Sequence, residues 1–168
     1  MRARAYAGCS TPPPGAHGSQ VTSGRAPRDA VTGDPPAREL SVAAEPDALE
    51  RVHALVHGLW QDARDVSADD RTSFEIAVAE VAADVVEHAA AGRRSEMRVR
   101  VVAYPDRVEA FFTDTGDEAR VDLDSVSMPD GLAEDGRGLA LARAAADELR
   151  SERDGAVNRW QVTRRRRR

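Results

Sequence analysis

The fold of this chain is decided by residues 74–91, which read FEIAVAEVAADVVEHAAA. Apolar side chains recur there at the spacing of an α-helix, so that one face of the helix would be buried. The stripe consists of Phe74, Val78, Val81 and Val85. Ser67 predicts the start of this helix and Gly92 its end, because serine caps helix N-termini and glycine often follows C-termini. We therefore expect one long core helix over about 67–91.

Three acidic side chains lie beside that stripe. Glu80, Asp84 and Glu87 fall about 100° around the helix from the apolar residues, so they border the core. Glu80 and Asp84 are four residues apart and share a face of the helix. Such a pair can hold Mg²⁺ through oxygen atoms or accept a proton from a hydroxyl nucleophile. Taken alone, however, a pair of this kind is more often a solvated surface feature.

The remaining elements are predicted from their own patterns. Strand-like alternation and helical spacing follow one another in the order β-α-α-β-β-loop-α-β-β. The predicted elements are a strand at 39–43, a helix opening at Pro46, strands at 97–101 and 108–112, a helix from Leu139 to about Leu149, and a hairpin around Asp154-Gly155 whose last strand is 157–163. We expect an α+β fold, a two-layer sandwich of helices on one mixed β-sheet.

The two ends of the chain differ in composition from its centre. Residues 1–37 contain six of the nine prolines and few large apolar side chains, so we expect a disordered N-terminal tail. The last five residues, 164–168, are all arginine and are expected to form a solvated basic tail. The expected domain is therefore 38–163.

Composition excludes several classes of protein. All 24 basic residues are arginine, which removes P-loop NTPases, eukaryotic-type protein kinases and Schiff-base enzymes, since each needs a lysine. Cys9 is the only cysteine, which excludes an internal disulfide. Without the five terminal arginines, 19 basic residues face 29 acidic ones, which argues against general nucleic-acid binding. No apolar run approaches the ~20 residues of a membrane span and no secretory signal is evident, so we expect a cytoplasmic protein with no membrane partner.

Two short motifs could contact a ligand. Asp114-Thr115-Gly116 directly follows a predicted strand, where an acid can hydrogen-bond a polar ligand edge above a close glycine turn. Gly136-Arg137-Gly138-Leu139 opens a predicted helix, where exposed N–H groups can bind phosphate. Between them lies a loop over 114–135, long enough to be a lid. Each motif alone is weak, because an ordinary turn explains it equally well.

Taken together, in this order and spacing, the motifs resemble those of the GHKL ATPase superfamily. The helix around Glu80 is similar to the signature helix of its anti-sigma regulatory kinases, in which Glu is followed four residues later by Asn and eight later by His. Asp114-Thr115-Gly116 resembles the adenine-binding Asp-x-Gly box of the family. Gly136-Arg137-Gly138-Leu139 resembles its second glycine box, and Asp147 matches an Asp found later in that helix. The resemblance spans roughly residues 38–163.

This resemblance implies a Bergerat-type ATP-binding sandwich and a regulatory serine-protein kinase. Asp114 would take the adenine amino group, with Gly116 and the second glycine box around the nucleotide. Glu80 would be the catalytic base for a serine of a protein substrate, and position 84 would hold Mg²⁺. The lid would be the segment 117–135. The implied partners are a sigma factor and an anti-sigma antagonist protein, with no direct nucleic-acid contact, and family members are often homodimers.

Two positions depart from the family pattern. Asp84 replaces the family's Asn, and Glu118 replaces the second glycine of the Asp-x-Gly-x-Gly box, so both add negative charge beside the expected triphosphate. An alternative hypothesis is therefore a degenerate, non-catalytic module that sequesters a sigma factor or an antagonist. Nucleic-acid binding through the terminal arginines is a more remote alternative, which would require salt-dependent DNA binding.

Overall fold

The computed structural model describes residues 33–90, 95–116 and 137–167. Its elements follow the predicted order: β1 (Ala37–Ala43), α1 (Ala48–Asp62), α2 (Ala68–Ala90), β2 (Glu96–Ala103), β3 (Arg107–Asp114), α3 (Arg137–Ala145), β4 (Glu148–Asp154) and β5 (Val157–Arg165). None of the helices in the described part of the chain is long and apolar enough to cross a membrane.

The five strands form one sheet in the order β1-β2-β3-β5-β4. All four pairings are antiparallel, so the expectation of a mixed sheet was wrong. Two tight turns account for half of these pairings, because residues 104–106 and the turn at Gly155 each reverse the chain directly. Gly155 has φ 61°, a conformation that favours glycine. The α1–α2 pair returns the chain so that β2 runs opposite to β1.

The helices cover one face of the sheet. α1 packs on β1 and β2, α2 packs on β3 and β5, and α3 packs on α2. Alternate residues of the central strands face these helices, and Phe112 of β3 lies opposite Trp160 of β5 in the register, both fully buried. The fold is therefore the expected two-layer α+β sandwich, with its core between α1, α2 and the sheet.

Helix α2 forms as its sequence predicts. The Ser67 hydroxyl accepts a hydrogen bond from Asp70 N at 3.1 Å and so caps the first turn. All four residues of the predicted apolar stripe are buried. Trp60 of α1 packs edge-on against Phe74, with ring centroids 5.8 Å apart, and its Nε1 donates to Glu75 at 2.6 Å. These contacts fix which side of α2 faces the sheet and α1.

Helix α3 ends earlier than predicted. It stops at Ala145 instead of continuing to about Leu149, and Leu149 lies on β4 opposite Val162. Asp147 is therefore not a helical residue: its N–H donates to Thr163 O at 2.9 Å, and its carboxylate accepts from Arg165 N. Residues 148–154 form a strand here despite the helix predicted to about Leu149, because β4 pairs with β5 along its whole length.

The expected solvated tail over 164–168 was also wrong for its first residues. Arg164 and Arg165 belong to β5, and the side chain of Arg164 is 7 % exposed. Its Nε donates at 3.0 Å to Asp70, which is fully buried in the first turn of α2. Arg167 N donates to the same carboxylate at 2.8 Å. The start of α2 therefore requires this end of the chain, because a carboxylate buried there needs donors.

Candidate functional site

Most of the residues that the sequence singled out lie near one another in the fold. They lie where the second half of α2, the end of β3, the beginning of β5 and the first turn of α3 approach each other, and this region is the candidate cleft. Asp114 is the last residue of β3, and its side chain points to the helical side of the sheet, where it is 4 % exposed. Its Oδ1 accepts hydrogen bonds from Gly116 N and from Asn158 Nδ2, each at 2.9 Å. The Asp114 carboxylate is therefore fixed by two hydrogen bonds at the edge of the core.

Gly116 stands where a side chain does not fit well. A Cβ at this position would lie 3.0 Å from Asp114 Oδ1 and 3.7 Å from the Cα of Ala89 in the last turn of α2. Thr115 N donates to Ser95 Oγ at 3.2 Å, which fixes the backbone just before the glycine. The Asp-Thr-Gly turn is thus hydrogen-bonded to the residue that precedes β2 and lies close to the last turn of α2.

Asn158 and Arg153 belong to this cleft and were missed from the sequence. Asn158 is 3 % exposed on β5, and its Oδ1 accepts from Arg153 Nη1 at 2.6 Å. One signal was available: Asn158 is a polar residue at a core-facing position, in the same alternation as Trp160 and Val162. Its partners, however, come from other strands, so the sequence did not show what it binds.

Asp84 lies in the same cleft with an unsatisfied carboxylate oxygen. Its Oδ2 is buried and has no hydrogen-bond partner in the part of the chain that the structure describes. His88 Nδ1 is 3.5 Å from that oxygen and is hydrogen-bonded to Asp84 O at 2.8 Å instead. Burial raises the pKa of Asp84; His88 opposes this shift, while the negative charges of Glu87 and Asp114 add to it. A cation would relieve this arrangement, because it would both neutralise the carboxylate and occupy the orphaned oxygen.

Glu80 is positioned one turn before Asp84, against the beginning of α3. A Cβ added to Gly138 would lie 2.8 Å from Glu80 Oε2, so only a glycine lets the helix start approach this carboxylate undisturbed. Leu139 follows as a buried core residue that anchors α3, and Arg137 is exposed in its first turn. Glu80 also lines an apolar groove of about 270 Å³ between α1 and α2. Its carboxylate is therefore accessible from outside the core.

A resident metal site built from protein ligands alone is not found in the described ranges, where no three His, Cys, Asp or Glu side chains converge. Magnesium is commonly held by one or two carboxylates together with substrate phosphates and water. The orphaned oxygen of Asp84 fits that mode of binding. Gly136, Glu118 and the predicted lid 117–135 lie outside the described residues, so their expected roles stay predictions.

Fold and cleft together define a class: an α+β sandwich with acidic side chains on one helix and a held aspartate at the end of a central strand. The family model for the histidine kinase-like ATPase domain matches residues 42–163, and the chain belongs to this family. This match confirms that the domain is a histidine kinase-like ATPase domain.

Comparison with solved structures supports the same fold. The chain is similar to the crystal structure of the RsbU and RsbW domains of Rv1364c from Mycobacterium tuberculosis, with a TM-score of 0.56 and 18 % sequence identity. The match covers 79 % of this chain but only 33 % of that one, so this chain spans about a third of the length of its structural relative. No curated protein sequence matches significantly.

Proposed function

We propose that this chain binds Mg-ATP and acts as a regulatory serine-protein kinase of the anti-sigma type. The observation that carries the proposal is the close approach of Glu80 to the glycine start of α3, where a Cβ added at Gly138 would lie 2.8 Å from Glu80 Oε2. This approach puts a carboxylate beside backbone N–H groups at a positive helix end. A base and a phosphate-binding element are adjacent, which is what transfer of a phosphoryl group to a hydroxyl needs.

The nucleotide would lie along the cleft. Asp114 would accept the adenine amino group, and Gly116 would leave room for the base beside the last turn of α2. The first turn of α3, at Arg137, Gly138 and Leu139, would face the phosphates, with Gly136 preceding it. Bound Mg²⁺, held by Asp84, would neutralise phosphate charge.

Glu80 would act on the protein substrate. A serine hydroxyl that attacks the γ-phosphorus must lose its proton, and the Glu80 carboxylate would accept it. The new bond is Oγ–P, the broken bond is that to the β-phosphate oxygen, and ADP leaves. Glu80 suits this task because its carboxylate faces the cleft and the α1–α2 groove rather than the apolar core.

The proposed partners are a sigma factor and an anti-sigma antagonist protein. This assignment rests on the resemblance of the Glu80–Asp84–His88 helix to anti-sigma kinases, since a structural likeness at 18 % identity supports only the fold. We further propose a homodimer located in the cytoplasm, without direct nucleic-acid contact.

The test begins with calorimetry of Mg-ATP binding to the purified chain. Proteins retained by the chain from native lysate, with and without ATP, are identified by mass spectrometry, purified and incubated with the chain and γ-labelled ATP. The expected result is phosphoserine on an antagonist. Glu80→Gln should keep ATP binding and lose phosphotransfer by at least about 100-fold. Glu152→Gln makes the same charge change on an exposed residue of β4 and should leave both unchanged.

The second candidate is a non-catalytic module that sequesters a sigma factor or an antagonist. It is favoured by one observation: the carboxylate of Asp84 is buried next to Asp114, where further negative charge opposes a triphosphate. If the chain binds a sigma factor tightly while calorimetry detects no Mg-ATP binding at millimolar concentration, this second function replaces the first.

A further inference from the structure

Three side chains form a row across the sheet beside the Asp-Thr-Gly turn. Arg153 of β4 lies opposite Asn158 of β5, and Asn158 lies opposite Asp114 of β3. Arg153 Nη1 donates to Asn158 Oδ1 at 2.6 Å, and Asn158 Nδ2 donates to Asp114 Oδ1 at 2.9 Å. Residues that lie opposite each other in the strand register are thus also joined by side-chain hydrogen bonds. The pairing of β3, β5 and β4 therefore determines the position of the row.

The row determines which way the amide of Asn158 points. A guanidinium is only a donor and an ionised carboxylate is only an acceptor, so Oδ1 must face Arg153 and Nδ2 must face Asp114. The reversed amide would place donor against donor and acceptor against acceptor. The charge of Arg153 also polarises the amide, which strengthens the hydrogen bond that Nδ2 donates.

Arg153 itself is fixed by further contacts. Its Nε donates to Gly155 O in the β4–β5 turn at 3.1 Å, and its Nη1 lies 3.4 Å from Gly116 O. The guanidinium therefore joins the hairpin turn to the Asp-Thr-Gly turn.

As a result, the two oxygens of Asp114 have different surroundings. Oδ1 accepts from both Asn158 and Gly116 N, whereas the described residues place no donor on Oδ2. Within the described residues, one oxygen is used by the protein and the other is open to a donor from a ligand. A 6-aminopurine presents such a donor at its exocyclic nitrogen, while a 6-oxopurine presents an acceptor there.

We propose that Arg153 and Asn158 are positioning residues that set base selectivity, because they hold Asp114 with Oδ2 directed at the amino group of a 6-aminopurine. This inference rests on the proposed nucleotide binding and adds to it the residues that determine which base is accepted. Neither residue needs to touch the nucleotide, since both act through Asp114.

The test measures binding of three nucleotides to the full chain by calorimetry with Mg²⁺: ATP, GTP and purine riboside triphosphate, which lacks the 6-amino group. The wild type should prefer ATP over both others by at least about tenfold, as expected for one directed hydrogen bond to a charged group. Asn158→Asp replaces the donor next to Asp114 by an acceptor of the same shape. It should weaken ATP binding about tenfold while changing purine riboside triphosphate binding far less.

A second variant keeps the test valid if Asn158→Asp folds poorly. Arg153 is exposed on an edge strand, so Arg153→Ala should retain the fold, and it should reduce the ATP preference, whereas Arg153→Lys should restore part of it. Arg159→Ala is the matched control, because Arg159 lies on β5 with its side chain on the opposite face of the sheet, paired with Asp154. It should leave selectivity unchanged.

The outcomes separate this inference from the proposed function. If the wild type binds ATP but Asn158→Asp and Arg153→Ala lower the affinity for all three nucleotides equally, the residues only support the fold and the inference is overturned. If the wild type binds none of the three, nucleotide binding and base selectivity are both overturned.

Discussion

The buried pair of Asp70 and Arg164 offers the sharpest test of the fold. Asp70 is fully buried, and it accepts hydrogen bonds from Ser67 Oγ at 2.8 Å, Arg164 Nε at 3.0 Å and Arg167 N at 2.8 Å. Asp70→Asn removes the charge but keeps the shape, so the buried guanidinium of Arg164 loses its closest counter-ion. Breaking a buried pair on one side typically costs about 3–5 kcal/mol.

The structure places the expected loss at the lower end of that range. Arg164 keeps Asp147 at 3.6 Å and Ala145 O at 3.4 Å, and the asparagine oxygen still accepts one hydrogen bond. We therefore expect Asp70→Asn to lower the free energy of unfolding by about 3 kcal/mol. For a domain of this size that corresponds to a fall in Tm of roughly 10 °C.

The assay is urea unfolding followed by circular dichroism, paired with a matched control. Asp62→Asn breaks the exposed pair of Asp62 with Arg38 and should cost about 0–1 kcal/mol. The double variant Asp70→Asn, Arg164→Met leaves no buried charge in this pair and should regain stability. If Asp70→Asn costs no more than the control, Arg164 is not buried against Asp70 and the terminal arginines form a tail after all.

The same pair has a pH signature. Burial alone raises the pKa of Asp70, but hydrogen bonds from Arg167 N, Ser67 and Arg164 outweigh it and hold the pKa below the ordinary value of 3.8. The unfolded chain then binds this proton more readily, so the stability contribution is present above pH 3.8 and is lost as pH falls through the folded pKa. In acid, the difference in unfolding free energy between wild type and Asp70→Asn should therefore shrink.

Three further predictions follow from the cleft and the N-terminus. Asp84→Asn should tighten Mg-ATP binding about fivefold by removing a charge near the phosphates, whereas Asp84→Ala should weaken it; unchanged affinity in both would show that Asp84 is not at the metal. Burial raises the pKa of Asp84, so the contribution of this residue to stability is lost as pH rises through the folded pKa. Asp84→Asn should therefore also raise Tm at about pH 7 more than at about pH 4. Gly138→Ala should leave Tm nearly unchanged but reduce both the ATP-induced rise in Tm and phosphotransfer, since its Cβ displaces the Glu80 carboxylate; full activity would contradict their approach. Deleting residues 1–32 should not alter Tm by more than a few degrees, but deletion through Ala37 should lower it, because Ala37 pairs with Val102 in β1.

The sequence alone determined the elements whose signals are local. Helical spacing in α2, alternation in β2 and β3, and the Asp154-Gly155 turn each lie within a few residues, and the backbone responds to such patterns directly. The order of the elements and the α+β sandwich followed from them. The acids Glu80 and Asp84 were also identified correctly as bordering the core, because their angle from the apolar stripe is fixed by helix geometry.

Only the tertiary structure decided the features that depend on distant partners. Asp70 and Arg164 are 94 residues apart, and neither position signals a buried charge until β5 brings them together. The row of Arg153, Asn158 and Asp114 similarly needs β3, β4 and β5 in one register. The sequence shows Asn158 only as a polar residue at a core-facing strand position, without its partners. The early end of α3 has the same cause: residues 148–154 gain more by pairing with β5 than by continuing a helix, and that gain exists only once the sheet is assembled.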